Sequence, residues 1–111
     1  MTDSGDILGQ VADCLLGIEM ELRKLDLWEA ERPPEKAFQS TEPFSLDTLM
    51  FNQWVQFVFL ERMKLIVENG HPLPSVSGVA PMAEEYFRGR PESGLALIRE
   101  LYAIDQLLSG S

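Results

Sequence analysis

Hydrophobic positions along the chain fall into four helical patterns, divided by two stretches rich in proline. The densest pattern is residues 49–67, LMFNQWVQFVFLERMKLIV, with thirteen apolar residues in nineteen, Phe51, Trp54, Phe57 and Phe59 among them. At ~100° per residue, Phe57, Trp54, Leu65, Val58, Phe51, Val55, Ile66 and Phe59 fill an arc of roughly 200°. Asn52, Gln53, Gln56 and Lys64 take the opposite side. So wide an arc predicts a buried central helix packed on two or three neighbours. Thr48 or Ser45 is placed to cap its start, and Gly70 to end it in the left-handed conformation. The length would suit a membrane span, but Asn52, Gln53, Gln56, Glu61, Arg62 and Lys64 argue against one.

Arg62 is the exception within this pattern, because its direction falls inside the apolar arc. A guanidinium there must reach outward or meet acceptors, since an unpaired buried charge is very costly. Glu42, Asp47 and nearby carbonyls precede the helix, so Arg62 is expected to clamp that segment, with anion binding as the alternative.

Before the central helix, Ile7, Val11, Cys14, Leu15, Ile18, Leu22 and Leu25 form one stripe of a helix expected from Asp6 to about Trp28. Leu16, Met20 and Leu27 make a weaker second stripe. Residues 29–45 lose periodicity around Pro33, Pro34 and Pro43, yet carry Phe38 and Phe44, which are expected to pin an ordered crossover. At the end of the proline-punctuated residues 68–81, Pro81 is expected in the first turn of a short helix ended by Gly89, with Met82 and Tyr86 inward. Pro91 then opens a last helix with the stripe Leu97, Leu101, Ile104 and Leu108. The fold class is therefore all-α: a single-domain bundle of about four helices, three long and one short, with residues 1–5 frayed.

Composition narrows the function. A formal charge of −9, from 18 acidic and 9 basic residues in 111, repels a polyphosphate backbone and gives no general attraction to anionic membranes. Arg88, Arg90 and Arg99 lie close in sequence and are expected on a solvated helix end. Cys14 is the single cysteine, so no internal disulfide forms, and the start of the chain lacks the pattern of a signal peptide. A soluble cytoplasmic protein is expected.

Catalytic signatures are missing: there is no glycine-rich phosphate loop, HExxH, CxxC or nucleophile elbow. His71, the single histidine, sits in a loop without a set of metal-ligating partners, and no cofactor is expected. Cys14 lies on an apolar stripe, as a small core residue would.

Three segments carry a resemblance: FQSTEPFSLDTL at 38–49, QWVQFVFLERM at 53–63 and HPLPSVSGVAP at 71–81. They resemble the signature stretches of the YqcC-like family of small bacterial proteins. Thr41, Pro43, Phe44, Asp47, Thr48, Trp54, Gln56, Arg62, Met63, Pro72, Leu73, Pro74, Ala80 and Pro81 match the family pattern. Phe51 departs from it, because members can carry proline there. The resemblance implies a small helical bundle and supplies no established activity. Its members are often encoded beside a tRNA pseudouridine synthase, which implies a link to RNA modification by association.

The expected function is that of a non-enzymatic protein-interaction module, with a surface around Gln39, Thr41, Glu42, Phe44, Asp47 and Arg62. Its partner would be a protein with a basic face, such as a tRNA-modifying enzyme. The alternative is a small-anion or RNA-fragment binder that uses Arg62, or Arg88 and Arg90.

Overall fold

Val11, Leu15, Ile18 and Leu22 recur at steps of four, three and four, and they are the residues that the first helix, α1 (Ser4–Lys24), buries. The structure, a computed structural model, describes residues 4–42, 45, 47–73 and 78–109. Of the expected frayed start, residues 1–3 lie outside these, and α1 is already formed at Ser4. It ends four residues short of Trp28. Asp26 takes a left-handed φ of 63°, its N–H bonds the Arg23 carbonyl, and the Leu27 N–H bonds the Leu22 carbonyl at 2.9 Å. This is the crossed pair that closes helix C-termini, built here on aspartate, which tolerates that conformation.

The central helix, α2 (residues 51–69), is continuous but not uniform. An α-helical turn, Phe51–Trp54, leads into a π-helical segment, Val55–Phe59, and then Leu60–Asn69, with Gly70 left-handed at φ 67°. The segment is long enough to matter for register. Phe51, Val55, Phe59 and Met63 are four residues apart and all buried. In a regular helix each such step overshoots one turn by ~40°, so the four would drift off a common face. An i→i+5 turn absorbs the excess and turns everything after it back.

That correction moves the buried face. Leu60 and Met63 are each 1% exposed, whereas Leu65, expected inside the apolar arc, is 59% exposed. Asn52 and Gln56, expected on the polar side, are buried. Thr48 does not cap α2; Met50 precedes its first turn, and the Gln53 side-chain oxygen accepts the Met50 N–H at 2.8 Å.

The short helix α3 (Val79–Tyr86) starts after Gly78, and its Ala80 N–H donates to Asp105 Oδ2 at 2.9 Å. A carboxylate from the last helix therefore caps α3 from outside. A 3-10 turn, Pro91–Gly94, opens α4 (Leu95–Ser109), whose Leu97, Leu101, Ile104 and Leu108 are all buried as expected. Helix α4 packs along α1 and α3, and α1 also packs along the second half of α2. Gln10 lies near Gln106, and Gly17 faces Glu100, so α1 and α4 run antiparallel. Glu19 pairs with Lys64 and Ile7 lies near Leu73, so α1 and α2 are antiparallel as well. Phe51 meets Tyr86 at 5.4 Å between ring centroids and joins α2 to α3. The architecture is the expected all-α bundle, and among the described residues no helix is long and apolar enough to cross a membrane.

Two glycines test this packing. A Cβ on Gly94 would lie 2.3 Å from the ring of Phe87, which is 1% exposed and cannot yield. Gly94→Ala is therefore expected to cost about 1–3 kcal/mol in chemical denaturation. Gly9 has open space around it, so Gly9→Ala is expected to stabilise by about 0.5–1 kcal/mol through helix propensity. Equal effects at the two positions would contradict the close approach of Phe87.

Candidate functional site

The polar side of α2 does not face water; it holds the chain that leaves α1. Gln56 uses both ends of its amide on one residue. Its Oε1 accepts the Glu29 N–H at 2.9 Å, and its Nε2 donates to the Glu29 carbonyl at 2.9 Å. Asn52 Nδ2 donates to the Leu27 carbonyl at 2.9 Å, and Gln53 Nε2 to the Glu29 carboxylate at 3.1 Å. Residues 52, 53 and 56 share one helix side, so three amides converge on a three-residue segment that has no regular structure of its own. Asn52 Oδ1 stays buried without a hydrogen bond.

The crossover is then tied down step by step. Arg32 Nη1 lies 3.0 and 2.8 Å from the two Glu61 carboxylate oxygens. The same guanidinium sits over Phe38, 4.4 Å from the ring centroid, and 5.7 Å from that of Phe57. A 3-10 turn, Glu35–Gln39, carries Phe38, which is half-buried. Thr48 Oγ1 donates to the Ala37 carbonyl at 2.7 Å, and the Ser40 hydroxyl donates to Asp47. The Leu49 N–H bonds the carbonyl of Ser45, which has a left-handed φ of 52°. The ordered crossover expected from its aromatic residues is present at Phe38; Pro43 and Phe44 lie outside the described residues.

Among the expected surface residues, Gln39, which ends the 3-10 turn, and Thr41 and Glu42, which follow it, are exposed. Asp47 is exposed but spends a carboxylate oxygen on Ser40, inside the loop. Arg62 is not the expected clamp. It is exposed, forms no hydrogen bond or ion pair with a described residue, and reaches neither Glu42 nor Asp47. The π-helical segment turns it off the buried face and puts Met63 there instead. Arg62 does lie near the crossover, beside Phe38, Phe57 and Leu65 on a shallow depression of about 320 Å³. The clamping role belongs to Arg32 and to the three amides. Their signal was present as polar residues at 52, 53 and 56 inside a very apolar helix.

Arg88 and Arg90 of the alternative site each have a neighbour to hold them. Arg88 bonds Glu85 at 2.9 Å, and Arg90 lies over the rings of Tyr86 and Phe87 at 5.6 and 5.4 Å. Among the described residues no cluster of His, Cys, Asp and Glu is placed to hold a metal ion. Burial pushes the Cys14 thiol up, and the carboxylates of Glu100 and Asp13 push it further, away from the reactive thiolate. His71 is exposed.

This helical architecture is shared with a family of small bacterial proteins. The DUF446 family, described as tRNA pseudouridine synthase C, matches residues 10–107. The chain belongs to this YqcC-like family. It is 33% identical over 94 residues to an uncharacterised protein of Haemophilus influenzae, covering 85% of this chain and 88% of that one. It is 32% identical to the uncharacterised protein YqcC of Escherichia coli, covering 86% and 87% of the two chains. A third relative, from Pectobacterium carotovorum, is named tRNA pseudouridine synthase C. Identity there is 40% over 81 residues, which is 73% of this chain and only 22% of that protein. The solution structure of E. coli YqcC superposes with a TM-score of 0.80 at 30% identity, covering 93% of this chain and 88% of the other.

The clamp and Arg62 make opposite predictions for stability. Gln56→Ala leaves the Glu29 N–H and carbonyl without partners and is expected to cost about 1–3 kcal/mol. Arg62→Ala is expected to stay within about 0.5 kcal/mol of the parent, as at other exposed positions. Denaturation curves of the two variants decide this, and a large loss for Arg62→Ala would restore the clamp to that residue.

Proposed function

We propose that the domain is a non-catalytic protein-interaction module, acting in the cytoplasm and linked to RNA modification, with the 39–48 loop at the centre of its surface. The observation that carries this reading is the construction of the loop. Among its described residues, the Thr48 hydroxyl is spent on the Ala37 carbonyl and the Ser40 hydroxyl on Asp47, while Gln39, Thr41 and Glu42 face solvent. Surface residues held by such bonds before binding lose less freedom on association.

The length relationship to the Pectobacterium protein supports the same reading. A domain that is nearly the whole of two relatives accounts for 22% of a third, whose name is tRNA pseudouridine synthase C. A separable unit that stands alone or forms part of a longer chain behaves as a module. The charge of −9 favours a partner with a basic face, and a tRNA-modifying enzyme is the class the relatives suggest.

The second reading, a small-anion or RNA-fragment binder, is favoured by the exposed and unpaired Arg62 beside Arg32. The overall charge opposes it, and Arg88 and Arg90 are already engaged with Glu85 and with aromatic rings.

Affinity capture of the tagged protein, with and without nuclease, separates the two. The interaction reading expects a protein partner that survives nuclease and is lost severalfold on Gln39→Arg or Glu42→Arg, with the melting temperature unchanged. Normal capture by both variants would remove the loop assignment. Capture that disappears with nuclease, and with Arg62→Gln, would favour the second reading.

A further inference from the structure

The structure carries a second unpartnered surface, remote in sequence from the crossover. Leu16 and Met20, the outer stripe of α1, are 60% and 49% exposed, although α1 is otherwise well packed. Leu16 lies on a groove between α1 and α2 with a volume of about 480 Å³, whose floor includes Ala12, Leu15 and Val67. A second depression lies nearer the start of α1, between Ile7 and Leu8 on one side and His71 to Leu73 on the other. On α1 the linings of the two depressions run from Ile7 to Glu19, about 18 Å at 1.5 Å per residue. Mainly apolar depressions set along one pair of antiparallel helices offer room for about three turns of an amphipathic helix.

Charge identifies the occupant. Lys64 on the groove is paired with Glu19 at 3.5 Å, and Glu19 also takes Arg23 at 2.9 Å. The charge left uncommitted is the carboxylate of Glu68, which is exposed and pairs with no described residue. A second copy of this chain would bring another −9 to a molecule of −9, which opposes self-association through the groove. A cationic helix meets both the apolar floor and the field.

We infer that the α1–α2 groove is the docking site for a cationic amphipathic helix of another protein, seated on Leu16 and paired with Glu68. The inference rests on the interaction reading above and adds a second contact to it, lined by no residue of the 39–48 loop. The partner's helix carries apolar residues at steps of three and four and basic residues along their edge.

The test is site-specific photo-crosslinking in the protein's own cells, with p-benzoylphenylalanine in place of Leu16 and, separately, in place of Gln39. Mass spectrometry of the adduct identifies the segment that each probe touches. The expected result at position 16 is an adduct to a segment of another protein with helical apolar spacing and net positive charge. Its yield falls severalfold with Glu68→Lys and stays unchanged with Glu85→Lys, which makes the same charge change on α3, outside both surfaces. No adduct at position 16, an adduct to a second copy, an acidic or non-helical segment, or equal yields in the two lysine variants would each overturn the docking site. Adducts from position 39 without any from position 16 would remove the groove alone, and silence at both positions would remove the interaction reading as well.

Discussion

A single side chain, Gln56, supplies both the donor and the acceptor that the backbone of Glu29 needs, and the rest of the crossover depends on that substitution of an amide for a strand. Residues 27–29 leave α1 without a helix or a sheet to satisfy their peptide groups. Backbone groups without partners away from water are expensive, so a segment of this kind must be met by side chains. Asn52 takes the Leu27 carbonyl and Gln53 the Glu29 carboxylate, completing the set from one side of one helix. Once Glu29 is fixed, Arg32 falls within reach of Glu61 and Phe38, and the loop that follows is closed by Thr48 and Asp47.

The π-helical segment belongs to the same account. It lets α2 keep Phe51, Val55, Phe59 and Met63 on one face while Asn52 and Gln56 face the crossover. Without it the second half of the helix would turn Arg62 towards the core and Met63 away. The helix thus serves two masters along its length: α3 through Phe51, and α1 through its second half. The amides occupy the angle between these contacts and the crossover.

Much of the architecture was legible from apolar spacing. The stripes of α1 and α4 are regular, and Val11, Leu15, Ile18 and Leu22, like Leu97, Leu101, Ile104 and Leu108, are buried where the spacing puts them. Helix α2 was legible as a helix, but its orientation was not, because a rotation of 100° per residue was assumed through a segment that does not keep it. The same assumption made Arg62 a clamp. The exposure of Gln39, Thr41 and Glu42 was legible in the polar loop sequence, whereas the hydrogen bond from Ser40 to Asp47 depends on how the loop folds back. Arg32 was hidden because its partners, Glu61 and Phe57, are separated from it by a loop whose path no local pattern specifies.

The central claim, that Gln56 binds the peptide groups of Glu29 as a strand would, is tested most directly by hydrogen exchange at the Glu29 amide. The account predicts exchange slowed to the level of the buried amides of α2, in a residue that lies in no helix or strand, and loss of that protection in Gln56→Ala while the amides of α4 keep theirs. Exchange at Glu29 as fast as at exposed loop residues in the parent protein would contradict it.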